Sequence, residues 1–130
     1  MSAVVYDASA LLAVIFDEPG ADNTMAYLAR PGGEVSAVNW SEVGAKLAER
    51  GLPEKEFRRE LAAFSLEVVP FDAEQAHAAA ALRPLTREFG LSLSDRCCLA
   101  LAQLHDACVI TADGNWRKVP GFDVVAIRNS

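Results

Sequence analysis

Histidine and cysteine are scarce in this sequence, and their placement argues against two common kinds of small domain. There are two histidines and three cysteines among 130 residues, and none of them forms a pair at the spacing of a zinc site. The cysteines are odd in number and lie in apolar runs, which indicates buried reduced thiols rather than a disulfide framework.

Long apolar runs are also missing. A helix needs about 20 unbroken apolar residues to cross a bilayer, and the apolar start of the chain, 3–16, is interrupted by Asp7. This stretch also lacks the basic beginning and the cleavage site of a secretory signal. We therefore expect a cytoplasmic protein with no membrane segment.

Positive charge is in the minority. Twelve Lys and Arg residues against 18 Asp and Glu residues give a formal net charge of −6, the wrong sign for unspecific attraction to a polyphosphate. If nucleic acid is the substrate, bound divalent cations and a local basic face must offset this charge. The balance favours a metal-dependent enzyme over a protein that coats nucleic acid.

Short β-rich runs alternate with helical patterns along the chain, which predicts an α/β fold. The predicted strands cover 3–6, 34–37, 66–70, 108–110 and 124–127. The predicted helices cover 8–16, 21–29, 54–64, 95–105, a segment ending before residue 51, and an alanine-rich segment beginning at residue 73. We expect one central, mostly parallel sheet flanked by helices, in a single domain of residues 1–130. The apolar content of 52% indicates a large core or a buried partner surface.

Polar residues and proline mark the starts and breaks of these helices. Asn39 or Ser41 is expected to cap the third helix, and Asp72 the alanine-rich helix. Pro84 is expected to kink or divide the alanine-rich helix, and Ser94 to cap the helix after it.

Four carboxylates take comparable positions in this pattern. Asp7 and Asp113 end the first and fourth strands, while Glu42 lies in the first turn of one helix. Asp95 opens another helix. In an open parallel sheet, the C-terminal ends of strands and the N-termini of helices gather at one edge, where ligands bind. Carboxylates brought together raise one another's pKa unless a cation intervenes, so the four predict a site for a hard divalent metal.

Each acid has a second explanation when it is taken alone, because Asp is common at strand ends and helix N-termini for capping reasons. Ser9 could orient the Asp7 carboxylate, or it could cap the first helix. Thr111 and Asn115 flank Asp113 and could support the metal site, although turn formation explains both of them.

Basic residues follow two of the acids. Arg96 comes directly after Asp95, and Arg117 and Lys118 follow Asp113, so that these cations could hold phosphates near a cleaved bond. Solvated surface charge is the alternative explanation for all three.

Four segments resemble the successive acidic motifs of PIN domains, and most closely those of the bacterial VapC toxins. They are residues 4–12, 36–43, 91–102 and 109–113, the last with Trp116. The segments stand in the family's order and span nearly the whole chain, a combination more specific than any single acid. The sequence departs from the family at Gly114 and Asn115, where members often carry a basic residue.

The resemblance implies a three-layer PIN fold and an endoribonuclease that depends on Mg²⁺ or Mn²⁺. By motif match, the metal-site acids are Asp7, Glu42, Asp95 and Asp113. The resemblance also implies neutralisation by a cognate VapB-like antitoxin, with a homodimer inside the toxin–antitoxin complex.

Other functions stay open at this point. A PIN nuclease that matures RNA without an antitoxin, or that cuts DNA, would use the same chemistry. A non-catalytic module that binds RNA or a partner is disfavoured because all four acids are present. A phosphoacceptor receiver domain shares the size and layout, but it needs an acidic pair after the first strand, where Asp7 is followed by Ala8 and Ser9.

Overall fold

The computed structural model describes residues 3–128 and places five parallel strands in one sheet, in the order β3-β2-β1-β4-β5. The strands are β1 (Val4–Tyr6), β2 (Gly33–Ser36), β3 (Glu67–Val69), β4 (Cys108–Thr111) and β5 (Val124–Ala126). The helices are α1 (Ala8–Ile15), α2 (Ala21–Leu28), α3 (Ala37–Glu49), α4 (Glu54–Ala62), α5 (Ala73–Ala81), α6 (Arg83–Thr86) and α7 (Leu93–His105). Two short 3-10 helices cover Arg87–Phe89 and Gly114–Lys118. Residues 1, 2, 129 and 130 of the predicted domain lie outside the described part.

The sheet separates two cores, because successive side chains of a strand point to opposite faces. Val5 and Val109 belong to the core shared with α5 and α7. Tyr6 and Ile110, their neighbours in sequence, belong to the core shared with α1, α3 and α4. The predicted α/β fold with helices on both sides of a sheet is therefore confirmed, and every strand pair of the sheet is parallel.

Helix α7 lies between the sheet and α5, and this position explains its composition. Its residues 97–102 are all buried, so that the helix has no polar face over this stretch. The helix that carries Asp95 is thereby fixed relative to the sheet. Across residues 3–128, every helix is too short or too polar to span a bilayer.

Helix α3 starts earlier than predicted. β2 runs into the helix without a loop, and Ser36 is the N-cap, its Oγ accepting a hydrogen bond from the Val38 amide at 3.2 Å. The prediction of Asn39 or Ser41 as the cap was wrong, because both residues lie inside the helix. Glu42 consequently lies in the second turn of α3 and not in the first.

Helix α7 also starts earlier than predicted. Ser92 is its N-cap, and it forms a reciprocal capping box with Asp95: the Asp95 amide donates to Ser92 Oγ at 3.2 Å, and the Ser92 amide donates to Asp95 Oδ2 at 2.9 Å. The prediction of Ser94 as the cap was wrong, since only Ser92 has an acid at the matching third position.

The alanine-rich helix follows the prediction. The Asp72 carboxylate accepts a hydrogen bond from the Gln75 amide at 2.9 Å and caps α5. The helix is divided before Pro84, which lies in the first turn of α6.

Strands β2 and β3 lie on one side of β1, and β4 and β5 lie on the other side. The pair of β1 and β4 is therefore the switch point of the sheet. Tyr6 pairs with Ile110, and the Asp7 amide donates to the Ile110 carbonyl at 2.9 Å. The first residue after β1 therefore lies beside Thr111, the last residue of β4. This register places an acid at the edge where open parallel sheets bind their ligands.

Candidate metal centre

Asp7 is a buried carboxylate, and one of its two oxygens accepts hydrogen bonds from neighbouring hydroxyls. Its side chain is only 5% exposed, and Oδ2 accepts hydrogen bonds from Ser9 Oγ at 2.6 Å and Thr111 Oγ1 at 3.0 Å. Asp7 stands at the N-cap position of α1, but its side chain makes no capping hydrogen bond. Helix capping therefore does not explain this residue, and Oδ1 is the oxygen left for another ligand.

The two hydroxyls on Asp7 are themselves held by the loop after β4. Ser9 Oγ accepts from the Ala112 amide at 2.9 Å, and Thr111 Oγ1 accepts from the Asp113 amide at 3.1 Å. Each hydroxyl thus has its main-chain donor on one side and the Asp7 carboxylate on the other. Ser9 and Thr111 were predicted as supporting residues of the site, and the structure places both in contact with Asp7.

Burial raises the pKa of Asp7 from 3.8 to about 6. The hydrogen bonds from Ser9 and Thr111 act in the opposite direction, while the negative charges of Asp95 and Glu42 add to the increase. Burial also raises the pKa of the Cys98 thiol well above its usual range, with the charges of the same three acids contributing. The acids therefore surround one region at the switch point of the sheet.

Asp95 interacts electrostatically with the other three acids. Burial raises its pKa, the bonds from Ser92 lower it, and the charges of Glu42 and Asp113 raise it further. Asp95 Oδ2 accepts the hydrogen bond from the Ser92 amide in the capping box, so one of its two oxygens serves to cap the helix. Oδ1 remains for another partner.

Glu42 is held from two sides. Asn39 Nδ2 donates to Oε1 at 3.0 Å, and Ser94 Oγ donates to Oε2 at 3.0 Å. From the sequence, Asn39 and Ser94 were predicted only as helix caps, and their contacts with Glu42 were not predicted. The spacing of Asn39 and Glu42 was a usable signal, because residues three apart are neighbours on a helix surface.

Asp113 lies at the exposed rim of this region. Its Oδ1 accepts from the Asn115 amide at 2.9 Å and starts the 3-10 helix Gly114–Lys118. Asn115 Nδ2 donates to the Phe89 carbonyl at 2.6 Å, so that this side chain ties the loop to its neighbour. The first contact stabilises the turn, and the second fixes the turn against the segment that ends at Phe89.

The three basic candidates differ in their surroundings. Arg117 and Lys118 are exposed, and together with Asp113 they line a cleft of about 420 Å³. Arg96 instead donates from its guanidinium to the Ala79 carbonyl at 3.0 Å and packs against α5. The structure therefore brings two of the three cations to the same cleft as an acid.

The donor set fits a hydrated divalent cation. Within residues 3–128, no three carboxylate, histidine or cysteine side chains are close enough together to ligate a single ion. Mg²⁺ usually keeps several waters and takes one or two carboxylates directly, and Mn²⁺ likewise suits oxygen ligands. Asp7 and Asp95 each offer a carboxylate oxygen, and an ion would offset the charge that burial disfavours at Asp7.

The fold and this acidic site define a class: α/β domains that carry acidic residues around the switch point of a parallel sheet. The model of the PIN domain family matches residues 4–121, and the chain belongs to this family. The resemblance predicted from the four acidic segments is confirmed. PIN domains are in general nucleases. No curated protein is similar enough in sequence to count as a relative.

Solved structures with the same fold include toxin–antitoxin complexes. One from Klebsiella pneumoniae has 25% sequence identity and a TM-score of 0.75, and the match covers 98% of this chain and 100% of that one. A DNA-bound VapBC from Salmonella typhimurium has 20% identity and a TM-score of 0.76, with the same coverage. VapBC2 from Rickettsia felis, bound to a promoter DNA fragment, has 16% identity and a TM-score of 0.74, covering 95% and 97%.

Proposed function

We propose that this chain is a VapC-type toxin, a Mg²⁺- or Mn²⁺-dependent endoribonuclease that hydrolyses RNA phosphodiester bonds. The observation that supports this most strongly is Asp7. It is a buried acid at the switch point, it caps no helix, and two hydroxyls hold one of its oxygens. An unpaired buried carboxylate is costly unless a cation lies beside it.

The chemistry follows from the donor set. A divalent ion held by these acids would lower the pKa of a water molecule and would stabilise negative charge on the attacked phosphate. Asp7 and Asp95 would hold the ion directly, and Glu42 and Asp113 would bind its waters and add negative charge around it. Ser9 and Thr111 keep Asp7 in one orientation, so that its free oxygen faces a fixed direction.

Arg117 and Lys118 are our candidates for RNA contact. Both follow Asp113 on the 3-10 helix Gly114–Lys118, where their side chains are exposed and line the same cleft. A protein of net charge −6 needs such local cations to hold a polyphosphate. They would bind phosphates next to the cleaved bond, a role that carries no base specificity.

Asp95→Asn is expected to cleave RNA at least about 100-fold more slowly while remaining folded, because a neutral amide oxygen binds a divalent ion far more weakly than a carboxylate does. The measurement is single-turnover cleavage of a labelled RNA by antitoxin-free protein in Mg²⁺ or Mn²⁺. Asp106→Asn is the matched control, an exposed acid at the opposite end of α7. Equal rates for the two variants, or no metal-dependent cleavage by the wild type, would refute the proposed function.

We further propose that a VapB-like antitoxin occupies the apolar groove between α3 and α4. This groove has a volume of about 600 Å³ and includes Ala45, Ala48, Phe57 and Leu61 in its lining. A shallower cleft shares Ala45 with it and reaches Glu42. A ligand in the groove can therefore extend to the acidic site. The Klebsiella pneumoniae toxin–antitoxin complex contains a chain of the same fold over its full length.

Ala48→Glu is expected to weaken antitoxin binding by at least about 10-fold and to leave RNA cleavage unchanged, since the new charge would be buried by an apolar partner. We expect the antitoxin gene to lie beside this gene, and its product to copurify with the wild-type chain as a complex containing a toxin homodimer. Lys46→Glu, an exposed position on the same helix outside the groove lining, is the control. Equal antitoxin affinity in both variants would place the antitoxin elsewhere.

A further inference from the structure

Glu42 is the only one of the four acids whose two carboxylate oxygens both accept hydrogen bonds from side chains, as far as residues 3–128 show. Asn39 Nδ2 reaches Oε1 at 3.0 Å, and Ser94 Oγ reaches Oε2 at 3.0 Å. The two donors come from different helices, Asn39 from α3 and Ser94 from α7. The orientation of the Glu42 carboxylate is therefore defined by the packing of these two helices.

Asn39 joins the two helices directly. Its Nδ2 also donates to the Ser94 carbonyl at 3.0 Å, so that the amide nitrogen faces two groups that can only accept. This arrangement fixes which way the amide is turned. Asn39 has no exposed surface, and its Oδ1 is buried without a hydrogen-bond partner.

The unpaired Oδ1 shows that Asn39 is a poor choice for stability alone. A buried acceptor without a partner destabilises a fold, and an apolar side chain of similar size would avoid this cost. An apolar residue at position 39 would lack the two hydrogen bonds that Nδ2 donates, to Glu42 and to the Ser94 carbonyl. One of them holds an acid of the proposed metal site.

We infer that Asn39 and Ser94 are positioning residues, which hold the Glu42 carboxylate in the orientation that the metal site requires. The inference rests on the proposed function, because it assigns a purpose to contacts made with a metal-site acid. The two residues act through Glu42 and do not touch RNA or the ion. Groups that orient metal-site ligands typically change metal affinity or activity by about 10- to 100-fold when they are removed.

Calorimetric titration of the full chain, free of antitoxin, with Mn²⁺ tests this inference without measuring activity. Asn39→Ala is expected to weaken Mn²⁺ binding about 10-fold, and Ser94→Ala by a smaller factor. Ser94→Thr keeps the hydroxyl and should retain most of the affinity. Gln103→Ala, which removes an exposed amide near the far end of α7, is the matched control and should bind Mn²⁺ as the wild type does.

The decisive comparison repeats these substitutions in a Glu42→Gln background. If Asn39 and Ser94 act through Glu42, they cause no further loss of Mn²⁺ affinity there, and in the wild-type background they lower kcat with KM for RNA unchanged. Equal losses in both backgrounds, or no loss in either, would overturn the inference. Ser94→Ala decides the question if Asn39→Ala does not fold, because Ser94 is only half-buried. A folded wild type that neither binds Mn²⁺ nor cleaves RNA would refute the proposed function itself, and the inference with it.

Discussion

Asp7→Asn is expected to abolish RNA cleavage and, at the same time, to stabilise the metal-free protein at neutral pH. The amide of asparagine can still accept the hydrogen bonds from Ser9 and Thr111 through its oxygen, so the local structure has no reason to change. It carries no charge, however, and cannot offer a carboxylate oxygen to a cation. Activity and stability should therefore change in opposite directions.

The stabilisation should depend on pH in a defined way. Burial raises the pKa of Asp7 to about 6 in the folded protein, against 3.8 as the ordinary value. The folded state therefore holds this proton more tightly than the unfolded chain, a contribution that is complete below pH 3.8 and lost as pH rises through about 6. Above that pH, the ionised wild type is less stable than Asp7→Asn by about 2–3 kcal/mol, at 1.36 kcal/mol for each pKa unit.

Urea unfolding in EDTA at pH 4 and pH 7.5 measures this difference. The two proteins should have similar stability at the lower pH and separate at the higher one, and Mn²⁺ should restore the stability of the wild type alone. Asp106→Asn serves again as the control, because it removes an exposed carboxylate outside the site. A stability difference between Asp7→Asn and wild type that is the same at both values would show that the charge of Asp7 is not what burial disfavours.

Thr111→Val is expected to weaken Mn²⁺ binding and RNA cleavage by about 10- to 100-fold, because valine keeps the shape of threonine and loses the hydroxyl on Asp7. That hydrogen bond lowers the pKa of Asp7, so its removal raises the pKa above the value of about 6. A higher pH is then needed to ionise Asp7. The acid side of the pH–rate profile should move to higher pH.

Thr24→Val provides a matched control for Thr111→Val. Both threonines are fully buried, but the Thr24 hydroxyl has no hydrogen-bond partner among the described residues. Its removal should leave Mn²⁺ affinity and the pH–rate profile as they are. Thr111→Ser keeps a hydroxyl and should recover part of the lost affinity. If Thr24→Val and Thr111→Val had the same pH–rate profile, the contact between Thr111 and Asp7 would have no role in the site.

The strand-end part of the site was predictable from the sequence. Asp7 and Asp113 each follow a short apolar run, and parallel strands bring their C-terminal ends to one edge whatever their exact bounds. The pairing of Thr111 with Asp7 depends on strand register, which the sequence does not specify. Thr111 was nevertheless predicted as a supporting residue, because it lies at the end of the apolar run that precedes Asp113.

The helical part of the site was harder to predict. Ser36, Asn39 and Ser41 are all acceptable N-caps, and the choice among them depends on where β2 ends against its neighbours. Because the start of α3 was predicted too late, Asn39 was not placed inside the helix, and its contact with Glu42 was not predicted. Arg96 was assigned by its position next to Asp95, but consecutive helical residues point in directions about 100° apart, and Arg96 faces α5.

The burial of α7 has a consequence for how the site opens. The amide protons of a helix enclosed by the sheet and by α5 exchange only through large-scale unfolding, and the Gly114–Lys118 turn shares the same core through Trp116, which is only 1% exposed. Asp95 is carried by that helix, and Asp113 caps the turn. Opening of the turn therefore requires Trp116 to leave the core, so that Asp113 and Asp95 are held in place by the same packing.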